Sequence, residues 1–179
     1  MEFEAVIKNR RSVRLFEERE VPDDILLKLV EHASLAPSPG NLQPWEFIIV
    51  KNKDLVEKIV STTYSGNVKT SYPQTWIKSA SAIIVVCYIP RPVSARYGDE
   101  GRVPGLLGLG AAIENLLLSA VNMGLGACWV SGFRPDELSK VLGLPKGSEP
   151  ISIIPIGYPK EIPEAPPKLS VDQISTFIK

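Results

Sequence analysis

From Val103 to Phe133 the chain carries one charged residue, Glu114. The stretch "GLLGLGAAIENLLLSAV" within it predicts a helix over about 106–123 with leucines on every face. A helix that is apolar all round has to be buried all round. Gly108, Gly110, Ala111 and Ala112 allow neighbouring backbone to approach it closely. Two arrangements meet the requirement. The helix is the centre of a compact monomer, or a second copy of the chain covers part of it. Glu114 and Asn115 speak against a bilayer span.

At 179 residues the chain can enclose one sizeable core, so residues 1–179 are expected to form a single domain. Basic and acidic residues balance at 20 each, which leaves no global field to recruit nucleic acid or an anionic membrane. The start, "MEFEAVIKNRRS", has no apolar signal core, and Cys87 and Cys128 form no CxxC. A cytoplasmic protein with buried, unpaired thiols is the expectation.

Helical spacing appears over residues 2–10, in "VPDDILLKLVEHA", in "DLVEKIVS" and in "PDELSKVLG", and more weakly in "VDQISTFI". Strands are predicted at "EFIIV" (46–50), "SAIIVVCY" (81–88), "ACWVS" (127–131) and "ISIIPIG" (151–157). The second is a continuous β-branched run, as expected of a strand buried on both faces. Residues 89–104, with Pro90, Pro92, Gly98, Gly101 and Pro104, read as a loop. Strands mixed with helices predict an α/β or α+β sandwich.

Side-chain catalysts are scarce. His32 is the single histidine and lies within a helical pattern, so a nucleophile–histidine relay has little to work with. One histidine and two scattered cysteines make a poor metal set. The glycines at 105, 108, 110, 124 and 126 give no GxGxxG after a strand. Two polar clusters remain. In "KNRRSVRLF" (8–16), an extended backbone would project Arg10, Ser12 and Arg14 to one side, suited to a phosphate or a polarised carbonyl. The same cations could instead form a solvated edge neutralised by Glu17, Glu18 and Glu20. In "APSPGNLQPW" (36–45), two prolines, a glycine and two amides exceed what a turn requires. Anion-binding features without a side-chain catalyst suit an enzyme whose cofactor carries the chemistry.

"RRSVRLF", "APSPGNLQPWEF", "MGLGACWVSGF" and "IPIGYP", in this order and spacing, make the chain resemble the flavin-dependent nitroreductase family over essentially its whole length. The resemblance implies an α+β fold, a three-layer α/β/α sandwich with a mixed, mainly antiparallel sheet. It also implies a homodimer with FMN at the interface. NADH or NADPH would be the hydride donor in a ping-pong cycle, and a nitroaromatic, a quinone or a similar small molecule the electron acceptor. Reductive dehalogenation, flavin destruction and dehydrogenation occur on the same fold, and a flavoprotein without turnover is a further reading. No side chain is expected to act as a dedicated acid or base.

Carried onto this sequence, the resemblance puts Arg10 and Ser12 at the ribityl phosphate and Arg14 at the pyrimidine edge of the flavin, with the Arg11 backbone alongside. Pro37, Ser38 and Pro39 match the loop that a second subunit lays against the ring, with the Asn41 and Gln43 amides near it. Val130, Ser131 and Gly132 match the segment whose backbone N–H faces flavin N5. Lys168 takes a phosphate-binding place where relatives more often carry arginine, and Gln74 stands in for an asparagine. Tyr64, Tyr72, Trp76 and Tyr97, in stretches 64–78 and 90–104, are candidates to cover the pocket.

Overall fold

The computed structural model describes residues 1–66 and 72–179. In chain order its elements are α1 (Phe3–Asn9), α2 (Asp23–Ser34), β1 (Trp45–Val50), α3 (Lys53–Ser61), β2 (Ala82–Tyr88), α4 (Arg91–Tyr97), α5 (Arg102–Asn122), β3 (Gly126–Ala127), α6 (Pro135–Leu142), β4 (Glu149–Gly157) and α7 (Val171–Ile174). The strands form one sheet in the order β1-β2-β4-β3, and every neighbouring pair is antiparallel. A parallel bridge between Ser12 and Ala127 adds the mixed character.

Period-two alternation along β2 divides the molecule into layers. Ala82, Ile84, Val86 and Tyr88 pack with Leu26 and Leu29 of α2 and Leu109, Ile113 and Leu116 of α5. Ile83, Val85 and Cys87 point the other way, toward Ile59 and Val60 of α3 and Leu138 of α6. The sheet therefore carries helices on both faces, the α+β sandwich that was expected. Both thiols are buried and free.

Helix α5 is seated closely. A Cβ on Gly105 would lie 2.6 Å from the Tyr88 Oη, and one on Gly108 would lie 2.9 Å from the Pro37 carbonyl oxygen. His32 ties α2 to α5 through an Nδ1–Oγ hydrogen bond of 2.9 Å with Ser119, a structural role. The chain does not cover α5 on all sides, however. Val103 is 65% and Leu107 70% exposed. By length and composition the run Arg91–Asn122 could cross a membrane; here Leu109, Ala112, Ile113, Leu116 and Ala120 on one face of α5 belong to the sandwich core.

Three expectations change. Residues 89–104 hold α4 and the start of α5 rather than a loop. Pro92 and Pro104 fall in first helical turns, where the missing N–H has no intrahelical acceptor, so these prolines open helices instead of breaking them. The strand predicted over 127–131 shrinks to Gly126–Ala127 plus an isolated bridge at Val130. Gly126–Gly157, Ala127–Ile156 and Val130–Ile153 share one register, which sets Cys128 opposite Pro155. Pro155 has no N–H to return, and the Cys128 N–H reaches its carbonyl only at 3.4 Å, so the ladder fails there. The helix predicted near the end is confined to Val171–Ile174, opened by a Ser170–Gln173 capping box, and residues 160–179 are exposed throughout.

Candidate functional site

The basic segment leaves α1 extended. Ser12 bridges Ala127, and the Val13 N–H donates to the Ala127 carbonyl at 3.0 Å. Val13 is buried on Gly126, where a Cβ would come within 2.8 Å of it. Alternation then turns Arg10, Ser12 and Arg14 to the opposite side. Arg10 Nε lies 3.4 Å from Glu114 Oε1, with side chains 31% and 45% exposed. The lone charge of the apolar helix is therefore a partner of this cluster. Arg14 pairs with no carboxylate among the described residues; its guanidinium sits 5.8 Å from the Trp76 ring centroid and donates to the Ser12 carbonyl at 3.3 Å. Neutralisation by the following glutamates does not occur: Glu20 pairs with Lys51, and neither Glu17 nor Glu18 bridges an arginine among the described residues.

Arg11 turns back instead. Its Nη1 donates to the carbonyls of Lys8 at 2.7 Å and Arg10 at 2.8 Å, capping the end of α1. Cys128 lies beside the other three. Burial pushes its thiol pKa up, and Arg14, then Ser12 and Arg10, are near enough to pull it back.

The break opposite Pro155 shapes the adjoining segment. Val130 is buried, and its N–H and C=O both pair with Ile153, at 3.0 and 2.9 Å. Its polar groups are thus spent in the sheet. The N–H groups of Ser131 and Gly132 meet no acceptor among the described residues. The Gly132 carbonyl accepts from the Tyr64 N–H at 2.8 Å and from Gln74 Nε2 at 3.3 Å, and Gln74 Nε2 also donates to the Tyr64 carbonyl at 2.8 Å. A Cβ on Gly132 would stand 2.5 Å from that Tyr64 oxygen. Gln74 thus ties the Gly132 carbonyl to the Tyr64 backbone, and the Phe133 N–H, donating to the Ser131 carbonyl at 3.1 Å, holds the peptide that carries the Gly132 N–H.

The loop 37–43 rests on α5 at Gly108. Gly40, Asn41 and Gln43 have positive φ of 55°, 55° and 47°, a conformation uncommon outside glycine. Ser38 Oγ accepts the Gln43 N–H at 3.0 Å, and Gln43 Nε2 donates to the Asn41 carbonyl at 3.3 Å. Ser38 and Gln43 hold the loop, Pro39 opens its turn, and Asn41 is left exposed. Against Gly40 lie two side chains of α4: its Cβ would be 2.6 Å from Arg96 Nη1 and 2.7 Å from Tyr97 Oη.

The predicted residues thus fall in three groups within one chain. Arg10, Ser12 and Arg14 gather about Cys128, Gln74 bonds Gly132, which follows Ser131, and Trp76 under Arg14 stands two residues on from Gln74. The loop touches α5 at Gly108, six residues before Glu114, or about 9 Å along the axis. Lys168 stands on the exposed tail. Of the covering stretches, residues 67–71 lie outside the described residues; Trp76 backs Arg14, while Tyr72 is exposed. An open cleft of about 1300 Å³ lies apart from these groups, lined by Phe16, Lys51, Lys53, Lys78 and Ser81. Lys51 and Lys78 are already paired there with Glu20, Asp23 and Glu57. Sequence reasoning assigned no role to Glu114 at the site, although its isolation was a signal, and it passed over Arg96, which the loop reading of 89–104 concealed.

Comparison with known proteins places the chain in a family. The model of the nitroreductase family matches residues 7–158. A protein from Archaeoglobus fulgidus, provisionally named NADH dehydrogenase/NAD(P)H nitroreductase, is 33% identical over 160 residues, covering 87% of this chain and 84% of that relative. A crystal structure from Parabacteroides distasonis with the same provisional name has a TM-score of 0.82 and 30% identity, covering 98% of each chain. A BluB-like flavoprotein from Clostridium difficile 630 superposes with a TM-score of 0.83 at 28% identity, covering 100% of each chain. The chain belongs to the nitroreductase family of oxidoreductases.

Proposed function

We propose that the chain is an FMN-dependent oxidoreductase that takes hydride from NADH or NADPH and reduces nitroaromatic, quinone or similar electron-poor acceptors in a ping-pong cycle. One observation carries the reading. Arg10, Ser12 and Arg14 share one side of an extended segment, Arg14 lies over Trp76, and Trp76 follows Gln74, which bonds Gly132; the Ser131 and Gly132 N–H groups have no described acceptor. Cations and unspent donors in that order suit a flat anionic ligand with a phosphate at one end. FMN supplies hydride acceptance from the nicotinamide and hydride donation to the acceptor. Arg10, held at Nε by Glu114, keeps its terminal nitrogens for the phosphate together with the Ser12 hydroxyl. Arg14 places a cation at the pyrimidine edge, which favours negative charge on the reduced ring. The Ser131 and Gly132 N–H groups would be the donors to the ring, and the Phe133 N–H on the Ser131 carbonyl holds the peptide of the second. The protein binds, orients and charges the site; no side chain serves as a dedicated acid or base.

A homodimer completes this reading. The bare face of α5 and a tail whose Leu169, Val171, Ile174, Phe177 and Ile178 are 66% to 94% exposed support a second copy as their cover. That copy would bring its own Pro37–Ser38–Pro39 loop to the ring and place Lys168 near a phosphate. Two buried free thiols fit a reducing compartment such as the cytoplasm. The test is a visible spectrum of the purified protein, with chromophore identification after heat release. A yellow protein releasing FMN is the expected result; a protein that stays colourless after incubation with FMN contradicts the proposal.

A further inference from the structure

Arg96 and Tyr97 have no task in the cofactor site just described. Arg96 lies near the end of α4, with Asp99 and Glu100 within the next turn, yet it bridges neither of them. Its Nη1 and the Tyr97 Oη converge instead on the bare face of Gly40, within 2.7 Å of one point. Neither group donates to a described residue. The guanidinium carbon stands 5.2 Å from the Tyr97 ring centroid, so the ring steadies the cation. Tyr97 is itself placed by packing, since a Cβ on Gly101 would come within 2.9 Å of the Tyr97 Cβ. The result is a cation and a phenolic donor, both exposed, gathered at one spot beside a loop with positive φ at Gly40, Asn41 and Gln43.

We propose that Arg96 and Tyr97 recognise an anionic group on the small molecule that exchanges at the flavin ring. That group is a carboxylate of the electron acceptor or a phosphate of the nicotinamide donor. The inference rests on the placement of loop 37–43 against the ring in the proposed function, and it adds the charge class of the molecule bound there. A guanidinium beside a hydroxyl matches carboxylate and phosphate oxygens in both charge and hydrogen bonding. Gly40 is what admits the pair, because any side chain there would occupy the point on which they meet. Arg96 and Tyr97 share a chain with this loop, so they accompany it to whichever copy's ring it covers.

The test separates the two half-reactions of the FMN-loaded enzyme. Arg96→Gln and Arg96→Lys variants are compared with the native protein on NADH and NADPH, and on 4-nitrobenzoate and 4-nitrobenzyl alcohol. Arg96→Gln is expected to raise KM about tenfold for the anionic partner, with kcat and flavin affinity little changed, and Arg96→Lys to restore most of it. A loss confined to nitrobenzoate assigns the pair to the acceptor. A loss confined to NADPH assigns it to the extra phosphate of that donor, and an equal loss on both nucleotides with the acceptors unaffected assigns it to their shared pyrophosphate. Unchanged KM values throughout overturn the inference, as does an equal loss on both acceptors together with weaker flavin binding, which would mark Arg96 as a brace for the loop. A native protein without flavin-dependent turnover overturns the proposed function itself, and this inference with it.

Discussion

A surface arginine commonly has a carboxylate within reach; Arg14 lies over the Trp76 ring and, among the described residues, its side chain bonds only to the Ser12 carbonyl. Its removal therefore costs the fold little and the ligand much. Arg14→Ala is expected to weaken FMN binding by about 1.5–3 kcal/mol, the range for a charge-assisted hydrogen bond. Flavin fluorescence titration of the apoprotein measures it, and thermal unfolding of the apoprotein should be nearly unchanged. Equal flavin affinity in the variant would remove Arg14 from the site. At this scale the sequence was informative where alternation governs: Val13 buried and Arg10, Ser12 and Arg14 opposite it follow from an extended backbone. It could not tell which of four neighbouring cations is already engaged. Arg11 is claimed by carbonyls at the end of α1, a consequence of where that helix stops.

Among the elements, β2 and α5 were legible because burial on two faces leaves a continuous apolar run in the sequence. The same composition hid their neighbours. Prolines in 89–104 suggest a loop until it is known that they fall in first helical turns, and the strand around Cys128 fails because of a proline on another strand. Pairing partners distant in sequence decide such cases. Helix α5 also yields the most direct test of assembly. Leu107 is 70% exposed in one copy, so Leu107→Asp should leave the monomer folded while placing a charge in the proposed interface. Sedimentation should show a dimer for the native protein and a monomer for the variant, with unchanged helical circular dichroism. A native monomer, or a variant dimer of undiminished stability, would contradict the interface.

In the molecule as a whole, the sandwich positions three sets of groups that a single chain does not bring together. The basic row bridges β3 at the sheet edge, the Ser131–Gly132 segment follows that strand, the loop with positive φ rests on α5 at Gly108, and Lys168 stands on an apolar tail. The order of motifs along the sequence indicated all three sets. Whether a second copy joins them, as proposed, was not legible, because neither the register nor the burial of one chain encodes what a partner would supply. The central claim is that this scaffold positions a flavin to pass hydride between a nicotinamide and an acceptor. It is tested most directly by anaerobic titration of the purified, FMN-loaded protein with NADH and NADPH, followed by addition of a quinone or nitroaromatic. The account predicts loss of the flavin's visible band with one of the nucleotides and its return with the acceptor. A flavin that stays oxidised in excess of both nucleotides would contradict it.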